Sequence, residues 1–283
     1  MPSVLITGAS RGIGHAVAAR LATRGWHVVA GVRTDSDAAR MADMHPGVAP
    51  VLLDVTNPEH LAALDRSLPN RLDAVVNNAG IVVGGPLEAV TADRLRHQLD
   101  TNVVAQLAVT QAVLPRLRTS NGRIVFVSSA LGRVAAPMIG AYCASKAALE
   151  AAADTLRMEL RAWRIPVVIV EPGQTDTDMW RTARSQVDEA VAAMSPTMRE
   201  LYGRHLTGFT ESIPTMQKAA VDPGMVADVV EKALTARRPR ARYAVGIRLK
   251  LQLALVASLP VGVRDRLLCA TSRQPCQPVL LLR

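Results

Sequence analysis

A glycine-rich turn close to the start of the chain constrains the fold more than any other feature of the sequence. Thr7-Gly8-Ala9-Ser10-Arg11-Gly12-Ile13-Gly14 follows an apolar run and opens a helical pattern. Glycines at this spacing permit a tight turn, a close approach of the backbone to a phosphate, and close packing of the helix on the strand. The helix N-terminus adds free N–H groups and the positive end of its dipole. A turn without a ligand is the alternative, but the position between strand and helix favours phosphate binding.

Short apolar runs alternate with longer helical patterns along most of the chain. The six runs predicted as strands are Val4–Thr7, His27–Val32, Ala49–Leu53, Ala74–Asn77, Arg123–Ser128 and Pro166–Glu171. The helical stretches include Gly14–Arg24, Pro58–Ser67, Ala92–Leu117 and Ala141–Trp163. Strands without a polar face are typical of a parallel sheet that helices cover on both sides. The sequence therefore predicts an α/β fold with a Rossmann-type, doubly wound parallel sheet.

We interpret the chain as one catalytic domain, residues 1–236, followed by a basic and apolar C-terminal extension, residues 237–283. A helical insertion over about residues 180–221 interrupts the sheet pattern, and we expect it to cover the carboxyl edge of the sheet. Its apolar, adaptable side chains suit a bulky hydrophobic substrate. The alternative is that they only pack the insertion onto the sheet. They are Met179, Trp180, Met194, Met198, Leu201, Tyr202, Phe209, Ile213 and Met216.

The spacing of the turn, TGxxxGxG, resembles that of the short-chain dehydrogenases/reductases, and other motifs extend the resemblance over roughly residues 1–180. Asn77-Asn78-Ala79-Gly80 is similar to the NNAG motif of that family, and Pro172-Gly173 with Thr177 resembles its PGxxxT loop. The resemblance implies a dinucleotide cofactor, with Asp54 contacting its adenine ring. The cofactor-binding residues so implied are Gly8, Ser10, Arg11, Gly12, Ile13, Gly14, Arg33, Asp54, Val55, Asn78, Ala79, Gly80, Tyr142, Lys146, Pro172, Gly173, Thr175 and Thr177.

The choice between the two nicotinamide dinucleotides can be argued from charge. Folds that select NAD place an acid after the second strand, whereas folds that select NADP place an arginine near the 2′-phosphate. Here the second strand ends in Arg33, with Asp35 two residues later, and Arg11 in the glycine turn offers a second cation. We therefore expect NADP(H) rather than NAD(H). For each arginine the alternative is an ordinary solvated side chain.

A candidate catalytic set follows the fifth predicted strand. Tyr142 and Lys146 are four residues apart, which places them on one face of a helix. A nearby ammonium and a positive nicotinamide favour the phenolate, so we expect the tyrosine pKa to fall below its usual value of about 10. Tyr142 then exchanges a proton with the substrate, and Ser129 hydrogen-bonds the oxygen where negative charge develops. Family spacing favours Ser129 over Ser128, and the family pattern implies that Asn102 holds a water linked to Lys146.

The net charge of +9 comes entirely from the C-terminal extension, which holds ten Arg or Lys and one acid. The cluster Arg237, Arg238, Arg240 and Arg242 precedes the apolar run Leu251–Val263. This run of thirteen residues is shorter than the roughly 20 needed to span a bilayer. Cations that flank a short apolar segment suit a helix lying in the interface of an anionic membrane. The alternative is a C-terminal helix packed against the body or against a second subunit.

Composition narrows the remaining function classes. With aromatic residues at 3%, stacking on nucleic acid is not expected, and we predict no nucleic-acid partner. Three cysteines without a CxxC pair and six scattered histidines predict neither a disulfide framework nor a metal site. We expect no signal peptide, a cytoplasmic location with peripheral membrane association as a hypothesis, and a homo-oligomer.

Two functions stay open at this point. The first is an oxidoreductase acting on a hydrophobic alcohol or carbonyl; the resemblance extends, less specifically, to the steroid- and retinoid-handling branch of the family. It implies steroid, retinoid-like or long-chain alcohol substrates. The second is a protein of the same fold that senses the cofactor without turnover. Retention of both Tyr142 and Lys146 favours the enzyme.

Overall fold

The computed structural model describes residues 1–275. Residues 276–283, which include Cys276 and the end of the predicted C-terminal extension, lie outside the described residues. Within residues 1–275 the sheet has seven parallel strands in the order β3-β2-β1-β4-β5-β6-β7. These are β1 Ser3–Ile6, β2 His27–Val32, β3 Val48–Leu52, β4 Ala74–Asn77, β5 Arg123–Val127, β6 Val167–Glu171 and β7 Arg242–Ala244.

Helices connect and cover these strands. They are α1 Gly12–Thr23, α2 Asp35–Ala42, α3 Pro58–Ser67, α4 Ala92–Leu99, α5 Ala105–Ser120, α6 Gly140–Glu159, α7 Asp178–Arg181, α8 Ala183–Ala192, α9 Pro196–Lys218, α10 Pro223–Thr235, α11 Ile247–Ser258 and α12 Val261–Thr271. A π-helical turn, Asp100–Val104, joins α4 to α5. Short 3-10 turns lie at Leu87–Ala89, Ala130–Gly132 and Leu160–Trp163.

The alternation of side chains along β1 explains why helices cover both faces of the sheet. Val4 and Ile6 are fully buried in a cluster with Leu21 of α1 and Val230 of α10. Leu5, between them, points to the opposite face and joins a second cluster with residues of α5 and α6. Successive strand residues point to opposite faces, so an apolar strand demands a cover on each side. The predicted doubly wound α/β fold is confirmed.

Two features of the sheet and its helices differ from the sequence-based predictions. The prediction of six strands omits β7, which lies inside the segment assigned to the C-terminal extension. Its three residues are only partly buried and begin with Arg242, so they carry no apolar run, and pairing with β6 alone makes them a strand. The single helix predicted over Ala92–Leu117 is two helices joined by the π-helical turn. Hydrophobic periodicity cannot reveal one widened turn.

The insertion and the extension also take shapes that the sequence left open. In the insertion, Met194 lies between α8 and α9, and Phe209 and Ile213 lie on α9. All three are buried together against Met138, just before α6. For these three residues the packing interpretation therefore holds. The side chains of Met179 and Trp180 lie outside the described part of the structure. The apolar run of the extension is broken near Pro260 into α11 and α12.

Candidate active site

Ser129, Tyr142 and Lys146 come together where β5 ends and α6 begins. Ser129 lies two residues beyond the end of β5 and shares a hydrogen bond with the Tyr142 side chain. Lys146 follows one helical turn after Tyr142, and its Nζ atom donates a hydrogen bond of 2.8 Å to the carbonyl oxygen of Val127 on β5. The structure thus joins a hydroxyl, a phenol and an ammonium at the carboxyl edge of the sheet.

The two adjacent serines have different partners. The Ser128 hydroxyl donates to Oε1 of Glu150 at 2.7 Å, on the buried side of α6. Ser129 Oγ instead accepts a hydrogen bond of 3.2 Å from the backbone N–H of Leu131 and contacts Tyr142. Of the two hydroxyls, only that of Ser129 is directed to the phenol. This is the residue that family spacing favours.

Burial controls the proton affinities of the two titratable groups. Desolvation raises the pKa of Tyr142 to about 12, against the opposite effect of the Ser129 hydrogen bond. Desolvation also lowers the pKa of Lys146 to about 8, while the charge of Glu150 acts to raise it. The direction for Tyr142 is opposite to the sequence-based expectation. In the protein alone, the cost of removing the phenolate from water outweighs the stabilisation that the Ser129 hydrogen bond gives it.

Asn102 lies in the π-helical turn and is fully buried. Its Oδ1 accepts a hydrogen bond of 2.9 Å from the N–H of Ile81, and its Nδ2 donates to the Ile81 carbonyl at 3.0 Å and to Ser145 Oγ at 3.1 Å. Ser145 immediately precedes Lys146. The side chain of Asn102 therefore ties the loop after β4 to the catalytic face of α6, and its own polar atoms are engaged in that task.

The glycine turn forms a cradle that other residues would fill. Gly8 and Gly12 have φ angles of +63° and +56°, a region that favours glycine. A Cβ on Gly14 would lie 2.5 Å from Nδ2 of Asn78 and closer still to the carbonyl oxygen of Gly8. Ile13 turns inward against the core. The close approaches and the partly accessible start of α1 fit the phosphates of a dinucleotide.

The segment after β4 is locked against this turn by Thr7, whose role the sequence analysis did not assign. Thr7 Oγ1 accepts hydrogen bonds of 2.9 and 3.0 Å from the backbone N–H groups of Asn78 and Ala79. Asn78 Nδ2 donates to the carbonyls of Thr7 and Gly8 at 3.0 and 3.1 Å. A Cβ on Gly80 would lie 3.2 Å from Oδ1 of Asn102. The sequence signal that could have predicted this role is the position of Thr7 as the first residue of the glycine motif.

A polar cleft lies beside the turn, at the carboxyl end of β2. Its charged lining comprises four arginines and two aspartates, which leaves an excess of positive charge. These residues are Arg11, Arg33, Asp37, Arg40, Asp178 and Arg181, with Ser10, Gly12 and His15 completing the cleft. Both arginines predicted from the sequence, Arg11 and Arg33, are thus present. Such an excess of cations suits a phosphate group.

Arg40 is the charged residue of the cleft that the sequence analysis missed. Its guanidinium donates to the carbonyl oxygen of Ser10 at 3.2 Å and to Oδ1 of Asp37 at 2.5 Å. The Arg40 charge and, more strongly, burial lower the pKa of His15. Within the described residues Nδ1 of His15 is buried without a hydrogen-bond partner. The signal was present in the sequence, because residues on the first turns of the helix after β2 face the glycine turn.

Asp54 and Val55 follow β3, with Asp54 facing Arg33. Asp54 Oδ1 accepts hydrogen bonds from the N–H and the hydroxyl of Thr56 at 2.9 and 2.7 Å. Burial acts to raise the pKa of the Asp54 carboxyl, but the hydrogen bonds from Thr56 and the charge of Arg33 together hold it below its usual value. Val55 is buried. Asp54 is thus close enough to Arg33 of the cleft for their charges to interact.

The loop after β6 closes the opposite side of the glycine turn. The carbonyl oxygen of Pro172 accepts a hydrogen bond of 2.8 Å from the N–H of Ala130, next to Ser129. Thr175 is buried, and its hydroxyl bonds the carbonyl oxygen of Gly173 at 3.3 Å. A Cβ on Gly12 would lie 3.1 Å from Cγ2 of Thr177, so this loop touches the turn directly.

Comparison with known proteins agrees with this geometry. A family model described as short chain dehydrogenase matches residues 2–188. The chain is 33% identical to retinol dehydrogenase 5 of Mus musculus, over 98% of this chain and 90% of the relative. It is 36% identical to retinol dehydrogenase 16 of Mus musculus, over 96% and 89%. A solved short chain dehydrogenase from Burkholderia cenocepacia J2315, in complex with NADP, is 28% identical with a TM-score of 0.72 and covers 97% and 98%.

Proposed function

The chain belongs to the short-chain dehydrogenase family, whose members are oxidoreductases acting on CH–OH groups, and we propose that it uses NADP(H) to interconvert an alcohol and a carbonyl on a hydrophobic substrate. The observation that carries the proposal is the meeting of Ser129, Tyr142 and Lys146 beside the glycine turn. These residues, with Asn102, form the proposed catalytic set.

Cofactor binding is assigned to the residues around the cradle. When bound, the nicotinamide supplies or accepts the hydride. The pyrophosphate fits the backbone of the turn between Gly8 and Gly14, where a Cβ would block the approach. Asn78, Ala79 and Gly80 form one wall, and the loop Pro172–Thr177 forms the wall next to Ser129. Asp54 and Val55 lie at the adenosine end.

Tyr142 moves the proton. A phenol with a pKa of about 12 is protonated at neutral pH, so it is ready to donate to a carbonyl oxygen during reduction. Ser129 donates a second hydrogen bond to the same oxygen, where negative charge develops. Lys146, with a pKa of about 8, is mostly an ammonium at neutral pH and stabilises the phenolate that remains. In oxidation the same groups act in reverse.

Preference for NADP(H) rests on the cations of the polar cleft. Arg33 is exposed at the end of β2. The Arg11 side chain is 64% exposed, and its Nε atom lies as far as 4.0 Å from Oδ2 of Asp178, so this ion pair is weak. Arg40 adds a third cation, held near the turn by Asp37 and Ser10. A 2′-phosphate would accept charge-assisted hydrogen bonds from these guanidinium groups. NAD(H), which lacks this phosphate, gains nothing from them.

The hydrophobic nature of the substrate rests on the insertion and on the relatives. The insertion packs against Met138 and Ile139, which lie directly before the helix of Tyr142, and Met198 and Tyr202 are only partly buried there. Adaptable apolar side chains next to the catalytic tyrosine favour a bulky apolar substrate. Two relatives are named retinol dehydrogenases. Steroids, retinoid-like molecules and long-chain alcohols or ketones are the proposed class.

We place the protein on the surface of an anionic membrane, through α11 and α12. Ile247, Leu251 and Leu255 recur on one face of α11 and are 66%, 63% and 59% exposed. Val261 and Leu267 of α12 are exposed as well. None of the helices within residues 1–275 combines the length and the hydrophobicity needed to cross a bilayer. An exposed apolar face is suited to lie in the interface.

Exposed basic side chains occur before, within and after the segment that carries this apolar face. Arg237, Arg238, Arg248, Lys250 and Arg266 are exposed. Each is worth about 1 kcal/mol near an anionic surface. Arg242, which the sequence analysis assigned to the same cationic cluster, is not part of it, because its guanidinium binds carboxylates inside the protein.

The homo-oligomer expected from the sequence stays a prediction.

The enzymatic proposal is tested by following NADPH consumption with a panel of steroid, retinoid and long-chain ketones and aldehydes. We expect turnover with apolar carbonyl compounds, a clear preference for NADPH over NADH, and turnover lower by roughly 100-fold or more in Tyr142→Phe. Cofactor binding without turnover of any member of the panel would favour the sensor instead. Equal use of both cofactors would contradict the NADP(H) assignment alone.

The membrane proposal is tested by sedimentation with anionic and neutral vesicles. A chain ending at Ala236 is unsuitable, because it also removes β7 from the sheet. The double variant Leu251→Glu, Leu255→Glu should lose salt-sensitive binding to anionic vesicles. Met158→Glu is the matched control for the single variant Leu251→Glu, because Met158 is a similarly exposed apolar residue (62%) on α6. Absence of binding by the unmodified protein at low salt would refute the proposal.

A further inference from the structure

A partly buried network of charges joins the catalytic helix α6 to β6 and β7. Arg242 of β7 donates hydrogen bonds to Glu150 of α6, to Glu171 of β6 at 2.8 Å and to Asp154 of α6 at 2.6 Å. Glu150 and Glu171 are 5% and 1% exposed. Removal of charge from water on this scale is costly unless every charge is paired. Because these carboxylates are buried, they do not serve the solubility of the surface, and another role must be sought for them.

Glu150 occupies the key position in this network. It lies four residues after Lys146 on α6, so the two side chains share one face of the helix. Its Oε1 accepts the hydrogen bond of Ser128, and its Oε2 accepts that of Arg242. Two donors aimed at the two oxygens are the pattern of an ionised carboxylate. A Cβ on Gly132 would lie 2.8 Å from the Glu150 carboxyl carbon, so the backbone of the turn after β5 also confines the carboxylate.

We propose that Glu150 is a positioning residue for the proposed reaction: its carboxylate, fixed by Ser128 and Arg242, keeps the buried amino group of Lys146 protonated beside Tyr142. The inference rests on the proposed function, because it concerns the proton on a residue of the proposed catalytic set. Arg242, in turn, holds the carboxylate in its charged form. The short C-terminal strand thus contributes to catalysis without touching the reacting atoms.

Electrostatics supports this role. Burial lowers the pKa of Lys146, and among the described charged groups Glu150 is the one that acts to raise it. Burial raises the pKa of Glu150, while Arg242 and Ser128 act to lower it and Glu171 acts to raise it. The other charged groups around the network are Asp154, Arg133 and Arg157, and the Cys143 thiol lies beside Tyr142. Without Glu150, burial of Lys146 would be opposed by no nearby carboxylate on its helix face.

The neutral variant Glu150→Gln tests the proposal through a pH profile. In the reductive direction kcat/KM should fall at alkaline pH as Lys146 loses its proton. Loss of the Glu150 charge should move this alkaline limb to lower pH by about 1 pH unit. A purely structural role would lower kcat/KM at every pH without moving the limb. Glu150→Asp, which keeps the charge, should restore most of the wild-type profile.

Asp154→Asn is the matched control. Asp154 lies on the same helix and binds the same guanidinium of Arg242, but it is one turn farther from Lys146. Its alkaline limb should coincide with that of the wild type. Equal displacement in both variants would mean that general electrostatics, and not Glu150, sets the limb.

A second variant covers a failure of Glu150→Gln to fold. Ser128→Ala removes the hydrogen bond to Oε1, which frees the carboxylate to turn from Lys146, so the limb should move in the same direction by a smaller amount. An unmoved limb in whichever of the two variants folds would overturn the proposal. A wild-type protein that turns over no carbonyl compound would instead refute the proposed function, and these two results are distinct.

Discussion

The Nζ atom of Lys146 lies 5.7 Å from the centroid of the Tyr142 ring, one turn along the same face of α6. The same nitrogen donates to the carbonyl oxygen of Val127 on β5. The ammonium is therefore held between the helix that carries the phenol and the strand that leads to Ser129. Because Lys146 is buried and Tyr142 is half-buried, their protonation is set largely by the protein rather than by solvent.

Removal of the phenol hydroxyl should abolish the proton transfer and leave the fold intact. For Tyr142→Phe we expect turnover to fall by roughly 100-fold or more, with NADPH affinity nearly unchanged, as measured by steady-state kinetics and by fluorescence titration. Tyr243→Phe is the control, since the Tyr243 hydroxyl only accepts a hydrogen bond of 3.0 Å from the N–H of Arg240. Retention of most activity by Tyr142→Phe would show that another group moves the proton.

Cofactor preference should depend on Arg33. Arg33→Ala should weaken binding of NADPH by roughly 10- to 150-fold, which corresponds to about 1.5–3 kcal/mol for a charge-assisted contact, and should change NADH binding little. Arg40→Ala should act in the same direction. Titration of both cofactors provides the measurement, and Arg24→Ala, whose partner is Glu231 at 3.0 Å, provides the control. An equal loss for both cofactors would contradict a contact with the 2′-phosphate.

A methyl group at Gly14 should disrupt the cradle, whereas one at Gly203 should not. Gly14→Ala places Cβ within 2.5 Å of Asn78 Nδ2, and we expect a loss of about 1–3 kcal/mol in the free energy of unfolding together with loss of cofactor binding. Gly203, on α9, has nothing within 4 Å of the added Cβ. Gly203→Ala should gain about 0.5–1 kcal/mol. Denaturant unfolding compares the two, and similar losses in both would contradict the steric argument.

The buried, charged Lys146 should lower the free energy of unfolding at neutral pH. Its pKa falls from the ordinary 10.5 to about 8 in the folded protein. Between these values the unfolded chain holds the proton and the folded chain does not, so the wild-type free energy of unfolding rises with pH over this window. Lys146→Met lacks this dependence. We expect the variant to be more stable at pH 7 by about 1–2 kcal/mol, after loss of the Val127 hydrogen bond.

Unfolding measured at pH 7 and at pH 10 checks the Lys146 prediction. The advantage of Lys146→Met over the wild type should shrink as the pH rises through this range. A constant difference would show that the proton on Lys146 is not the cause. Activity should be lost in the variant at both pH values.

Removal of Arg242 should destabilise the fold more than removal of an arginine at the surface. Arg242→Gln leaves the buried carboxylate of Glu150 without its cation and that of Glu171 with only Arg133 at 3.7 Å, and we expect a loss of about 3 kcal/mol. Arg96→Gln breaks an exposed pair with Asp93 and should cost less than about 1 kcal/mol. Thermal unfolding of both variants gives the comparison. Equal effects would mean that the network contributes no more than a surface pair.

Much of the site could be predicted from the sequence because its parts are local. The glycine turn, the NNAG segment and the spacing of Tyr142 and Lys146 each depend on a few consecutive residues or on one turn of helix. The strands β1 to β6 could be predicted as well, since a strand buried on both faces must be apolar throughout. These are properties of single elements, so the chain states them directly.

Contacts between distant segments were decided by the tertiary structure alone. From the sequence, Arg242 was interpreted as one of several cations in a basic C-terminal segment. Only the pairing of β7 with β6 brings it to Glu150, 92 residues away. In the same way, the separate partners of Ser128 and Ser129 depend on how α6 packs on β5. The direction of the Tyr142 pKa follows from burial, which no local pattern records. The sequence determined which chemical groups are available, and packing determined which of them meet and how far they are removed from water.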